Sequence, residues 1–240
     1  MSTEKRIARM VGGLYLTGTI AGVLSVVFMG PLGNDPGMDQ LSTNPTPIMM
    51  SAVCVLIMGL ALALIPVVVY PIARKVNETL AVGYIVFRGA LETVTYLFTV
   101  TIWLFLLPIS TEFVRIGAAE TGQALTALFL EAGVISTVTT FVFILGALMF
   151  YALLYQSRLV PRWLSGWGFA STVPYLLAGV LVMVGRIDPM SILDAGMRLP
   201  LGLQEMALAL WLIVKGFEAT AVAPRAHSAD DSSLIEAYSH

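Results

Sequence analysis

Charge is scarce in this chain. Only 12% of its 240 residues are Asp, Glu, Lys or Arg, against roughly 25% in ordinary soluble domains. Histidine is rarer still: His227 and His240 are the only two. That scarcity argues against haem b ligation, histidine metal sites and the Ser–His or zinc chemistry of intramembrane proteases. The single cysteine, Cys54, cannot form an intramolecular disulfide and sits in an apolar run, so it reads as a buried thiol. A Walker loop and a dinucleotide glycine fingerprint are both missing. Lysine is missing from the middle of every apolar segment, so a retinal Schiff base has no partner. No cofactor and no metal site are expected, and catalysis is the least favoured class of function. The net charge of −2 gives no reason to expect a nucleic-acid partner.

What the chain has is apolar surface. Hydrophobic residues make up 58% of it, more than a water-exposed globule of this size can hide. A lipid bilayer removes the difficulty by acting as the apolar solvent. A helix needs about 20 apolar residues, each rising about 1.5 Å, to cross about 30 Å of hydrocarbon. Six segments qualify: Met10–Met29, Ile48–Tyr70, Leu80–Leu107, Gly133–Tyr155, Trp163–Val184 and Leu199–Gly216. In lipid such segments must be helical, because an open strand would leave backbone groups unpaired. The fold class expected is an all-α polytopic transmembrane bundle of about six spans, in contact with the lipid bilayer.

Lys5, Arg6 and Arg9 precede the first run, as in a secretory leader. The run is about 20 residues long, whereas a leader core has about 7–15. It is therefore read as an uncleaved span. Nine basic residues fall on one side: Lys5, Arg6, Arg9, Arg74, Lys75, Arg158, Arg162, Lys215 and Arg225. Three fall on the other: Arg115, Arg186 and Arg198. This asymmetry places the first side, with both termini, in the cytoplasm. Trp163 and Trp167 follow Arg162, where an aromatic interface belt should lie. Pro31, Gly33, Pro36, Gly37, Pro45 and Pro47 mark the first loop as turn-rich. Pro66 and Pro174 lie inside spans and are expected to kink them. Residues 118–130 form a modestly apolar stretch, either an extension of the fourth span or a short interfacial helix. The expected domain covers 1–217, and residues 218–240 form a polar, disordered cytoplasmic tail.

The thirteenth basic residue, Arg88, lies inside the third span with Glu92, and Glu205 lies inside the sixth. Charges in hydrocarbon are costly, face the protein interior and are candidates for function. Glu92 lies 12 residues from Leu80 and Glu205 lies 11 residues from Gly216. At 1.5 Å per residue these depths are about 18 Å and about 16 Å, so both carboxylates fall near mid-membrane at one level. Arg88 and Glu92 stand at i,i+4 and share a face, which extends as a polar stripe through Tyr84, Arg88, Glu92, Thr95 and Thr99. One arginine against two glutamates leaves one carboxylate in excess, a candidate proton holder.

These residues therefore have two readings. Arg88, Glu92, Glu205, Tyr84 and Thr95 form a site for a proton, a small molecule or a lipid. Alternatively, Arg88 clamps two helices together or snorkels to the headgroups, and the chain is a non-catalytic membrane subunit or assembly factor. Glu131, at the outer end of the fourth span, is a weaker candidate. Gly18 and Gly22 form a small-xxx-small pair suited to close helix approach, within the chain or in a homo-oligomer.

Four segments then carry a resemblance: "RIARMVGGLYLTGTIAGV", "AVGYIVFRGALETV", "LLYQSRLVPRWLSGWG" and "LGLQEMALALWLIVKGF". In this order they resemble the bacterial multi-pass membrane proteins of domain-of-unknown-function family 4386. The resemblance covers nearly the whole chain and implies a bacterial inner-membrane location. In that family an arginine and a glutamate of the third span and a glutamate of the sixth recur, which implies importance for Arg88, Glu92 and Glu205. Many relatives carry an acidic residue and a histidine entering the fourth span. Here that stretch reads "FLEAGVIS", with Glu131 and no histidine, so a role built on that histidine does not carry over. The family name implies no activity.

Overall fold

The computed structural model describes residues 3–30, 37–131, 134–189 and 191–218, with the side chains of 126–136 outside the description. Among the described residues the structure is helical and contains no strand. The elements are α1 (Thr3–Met29), α2 (Met38–Thr43), α3 (Thr46–Val76), α4 (Glu78–Tyr84), a π-helical segment (Ile85–Leu91), α5 (Glu92–Arg115), α6 (Ala119–Glu131), α7 (Val134–Ser157), α8 (Arg162–Met183) and α9 (Ile192–Val214). Among the described residues six helical stretches are long and apolar enough to cross a membrane, with α4, the π segment and α5 counting as one continuous rod.

Local chemistry explains where these rods stop. Asn77 ends α3 through its amide, which bonds Ala73 O, and starts α4 by accepting from Leu80 N at 3.1 Å through its side chain. Ser191 caps α9 in the same way, accepting from Asp194 N at 3.3 Å. Gly185, after α8, and Gly216, after α9, adopt φ of +66° and +79°, a conformation that costs other residues. Pro66 and Pro71 lie inside α3 and Pro174 inside α8, and both helices continue past them.

Helix α1 packs along α3 and α9, α3 along α5, α7 along α8, and α8 along α9. The Gly18 and Gly22 pair is used within the chain: Gly18 faces Leu62 and Gly22 faces Met58, both on α3. The main core takes Tyr15, Ile65, Phe150, Leu154, Leu164 and Leu208 from five of the long helices. Outward-facing side chains are also apolar: Leu60, Phe98, Phe105 and Val173 are each more than 60% exposed. So much exposed apolar surface is untenable in water and natural against lipid. Gly216 lies 3.5 Å, measured from the position of a Cβ, from the side chain of Lys5, so the start of α1 and the end of α9 meet.

Two expectations need correction. The first loop contains a helix, α2, whose Met38 and Leu41 are buried against the bundle. The last span starts at Ile192, seven residues before Leu199, because Ser191 caps it. Arg198, counted above as a loop charge, therefore lies inside a helix. The stretch before the fourth span is helical as α6, and residues 132–133, its junction with α7, lie outside the described residues. So does the tail beyond Glu218.

Candidate functional site

The third rod changes its winding where its charges sit. Between Ile85 and Leu91 it is π-helical, and the amide of Glu92 bonds back to Phe87 O, five residues earlier. Such wide turns are rare and recur at functional positions. Two neighbours fit this segment closely. Gly146 on α7 passes so near that a Cβ there would stand 3.1 Å from Arg88 N. A Cβ on Gly89 would stand 3.3 Å from the Pro66 ring. Thr93 Oγ1 donates to Gly89 O at 2.7 Å, giving that carbonyl a partner.

Arg88 is 2% exposed, so it does not snorkel to a surface. Its Nη1 donates to both Glu92 oxygens, at 3.2 and 3.1 Å. Its Nη2 donates to Glu205 Oε1 at 3.3 Å. The guanidinium carbon lies 4.7 Å from the Phe143 ring centre and 5.9 Å from that of Tyr15, so aromatic faces cover the charge. Arg88 Nε is buried and has no hydrogen-bond partner among the described residues.

The two carboxylates differ. Glu92 is fully buried and doubly served, since Tyr96 Oη also donates to its Oε1 at 2.6 Å. Among the described residues Glu205 has the one bond from Arg88, and its side chain is 16% exposed, against 1% for that of Glu92. The group most in need of a partner is therefore the one within reach of something outside the protein core.

The other candidates take local roles in the geometry. Tyr84 is buried and stacks on Phe150, with ring centres 4.6 Å apart. Thr95 Oγ1 donates to the backbone carbonyl of Glu92 at 2.7 Å, which fixes the helix under the carboxylate. Glu131 is the last residue of α6, and its side chain lies outside the described residues. Among the described residues no group of three or more His, Cys, Asp and Glu could hold a metal ion.

Three features escaped the sequence reading. Tyr96 stands four residues beyond Glu92 and was visible by that spacing. Gln204, beside Glu205, is fully buried: it accepts from Tyr151 Oη at 2.7 Å and donates to Leu164 O at 3.1 Å. Asp194 and Arg198 repeat the i,i+4 pattern of Glu92 and Arg88, with Arg198 Nε donating to Asp194 Oδ1 at 2.7 Å and Nη1 to Thr140 Oγ1 at 3.0 Å. The late placement of the sixth span concealed this pair.

A family model described as a domain of unknown function (DUF4386) matches residues 10–216. The chain belongs to this family. The match runs from the first span to the last and includes Arg88, Glu92 and Glu205 as well as the Asp194–Arg198 pair. The family description carries no activity. Neither a curated protein nor a solved structure matches the chain.

Proposed function

We propose that this membrane protein binds or passes a proton at Glu205, with Arg88 and Glu92 as its fixed counter-charges. The observation that carries the reading is the inequality of the two carboxylates. One guanidinium serves both, Glu92 receives two of its three bonds and a tyrosine hydroxyl besides, and Glu205 is left with a single 3.3 Å contact and partial exposure. In a low-dielectric interior an ionised carboxylate with one long contact is costly, and a proton removes that cost. Arg88 cannot compensate two carboxylates fully. The proposed setting is a bacterial inner membrane with both chain ends in the cytoplasm, as the basic residues indicate.

A second reading is a non-catalytic membrane subunit or assembly factor whose polar cluster only joins helices. The Arg88–Glu205 bond favours it, because it joins the third rod to α9 while Glu92 and Tyr96 hold the guanidinium in place.

Infrared spectroscopy of the reconstituted protein separates the two. On the proton reading, a protonated-carboxyl band is present at neutral pH, disappears in Glu205→Gln and survives in Glu92→Gln. If neither substitution removes such a band, the proton reading fails and the clamp remains.

A further inference from the structure

We infer that Glu205 opens sideways to the hydrocarbon of the bilayer through a gap between α1 and α9, and that this gap admits a hydrophobic amine, which takes the Glu205 proton and stays as its ammonium partner. The inference rests on the proton reading of Glu205. It adds the direction of access and the class of ligand.

Helices α1 and α9 touch in one half of the bundle and part in the other. In the half that holds the start of α1 and the end of α9, a Cβ on Gly12 would stand 2.6 Å from Ala209 O. Gly202 precedes Ala209 by seven residues, about two turns, and so lies on the same face of α9. It is exposed, and a Cβ there would meet nothing within 4 Å. Val23 follows Gly12 by eleven residues, about three turns, on the same face of α1. It is 58% exposed, and Val26 beside it is 51% exposed. The face by which each helix holds the other is thus uncovered further along. Tyr15 marks the closed end of the gap: it is buried, with its ring centre 5.9 Å from the Arg88 guanidinium carbon.

Glu205 sits where the two helices part. It lies thirteen residues after Ile192 and nine before Val214, about 20 Å and about 14 Å along the axis, which is mid-membrane. On one flank its neighbours Leu201, Gln204 and Leu208 are buried. On the other flank Gly202 is exposed and Met206 partly so. The exposed part of the Glu205 side chain therefore faces the Gly202 flank. Long helical side chains lean over the preceding turn, which brings the carboxyl beside Gly202, where no side chain covers it. The surround is apolar: Val23, Val26, Leu199 and Leu203 are all exposed there.

This setting selects the ligand. A bare ion from water meets a large desolvation cost before it reaches this level. An uncharged amine on an apolar chain dissolves in the hydrocarbon. The charges acting on Glu205 are those of Arg88 and Glu92. One guanidinium and two ionised carboxylates leave one negative charge in excess, which an ammonium group balances and an anion would increase. The step is an acid–base exchange. The Glu205 O–H bond breaks, the nitrogen lone pair takes the proton, and an ammonium–carboxylate pair joined by a charge-assisted hydrogen bond remains. An alcohol can share the Glu205 proton but cannot take it.

The test uses the full chain in phosphatidylcholine nanodiscs. Dicyclohexylcarbodiimide, which is soluble in hydrocarbon and attacks protonated carboxyls, should label Glu205, as read by peptide mass spectrometry. It should do so about tenfold or more faster than a water-soluble carbodiimide, a margin on the scale of one hydrogen bond to a charged group. Gly202→Phe, which fills the gap beside the carboxyl, should slow the labelling by a similar factor while the Glu205 infrared band persists. Dodecylamine should remove that band and block the labelling, and dodecanol should do neither. Faster labelling from water, an unchanged rate in Gly202→Phe, or a band without labelling overturns the gap; in the last case two chains per disc would show a second copy covering it. Equal effects of amine and alcohol overturn the choice of ligand. The two proposals fail separately: absence of a Glu205-dependent band defeats the proton reading, while a band that neither carbodiimide nor amine reaches defeats only the lateral route.

Discussion

Arg88 donates to Glu205 at 3.3 Å although 117 residues separate them in the chain. This contact ties the π-helical segment of the third rod to the middle of α9, two elements that begin from opposite faces of the bundle. It also gives a buried guanidinium its second carboxylate, so both the assembly of the helices and the charge balance of the interior depend on it. Isolated charges in hydrocarbon are unfavourable enough to drive such pairing during folding.

Removing Arg88 should therefore be severe. Arg88→Ala leaves Glu92, which has no exposure, beside a tyrosine alone. Breaking a buried pair by deleting one partner typically costs about 3–5 kcal/mol. The control is Arg115→Ala, whose partner Glu112 is more than half exposed and paired only within one helix turn. Thermal unfolding of both variants in one detergent should show a large loss for the first and almost none for the second. Equal stabilities would argue against the buried pairing of Arg88.

Tyr96→Phe isolates the second support of Glu92. The substitution removes a 2.6 Å hydrogen bond to Oε1 and keeps the ring. Hydrogen bonds to charged groups are worth about 1.5–3 kcal/mol, and a loss in that range is expected in the same unfolding assay. In Tyr96→Phe combined with Glu92→Gln the penalty should shrink, because the acceptor is no longer a full charge. Simple additivity of the two changes would indicate that they do not interact.

Gly12 and Gly13 are neighbours with opposite prospects. A Cβ at Gly12 would stand 2.6 Å from Ala209 O on α9, which is backbone and cannot turn aside. A Cβ at Gly13 meets nothing within 4 Å. Gly12→Ala should force α1 away from α9 and destabilise by about 1–3 kcal/mol, the usual cost of overpacking. Gly13→Ala should be neutral or stabilise by up to about 1 kcal/mol through lost freedom of the unfolded chain. Paired melting curves check the sign as well as the size.

The orientation can be read with reporters. With Arg198 inside α9 and paired to Asp194, only Arg115 and Arg186 remain as basic residues of the sparsely charged side, which sharpens the asymmetry. An alkaline phosphatase insertion after Asp188 should be active, reporting the outside. A fusion after Arg225 should be inactive there and fluorescent as a cytoplasmic reporter. The reverse pattern, or a split between the two termini, overturns the assignment.

The sequence alone determined the number of spans, their order and the presence of three charges inside two of them. The reason is that lipid imposes its demands locally: a run of apolar residues of sufficient length must be a helix wherever its neighbours are. Equal depth for Glu92 and Glu205 also follows from local counting, because each residue of a helix advances the chain by a fixed rise. Which carboxylate Arg88 serves fully, and which it serves by one contact, was decided by the packing of four helices around it. That packing rests on features without a local signal: the π-helical segment that carries Arg88 and the glycine of α7 that lets a backbone pass over it. Arg198 shows the same division. Its spacing from Asp194 was legible, but its burial became visible only when Ser191 started α9 earlier than hydropathy indicated. Hydropathy marks where a chain enters lipid. Which polar groups then meet inside is set by the crossing of helices far apart in sequence.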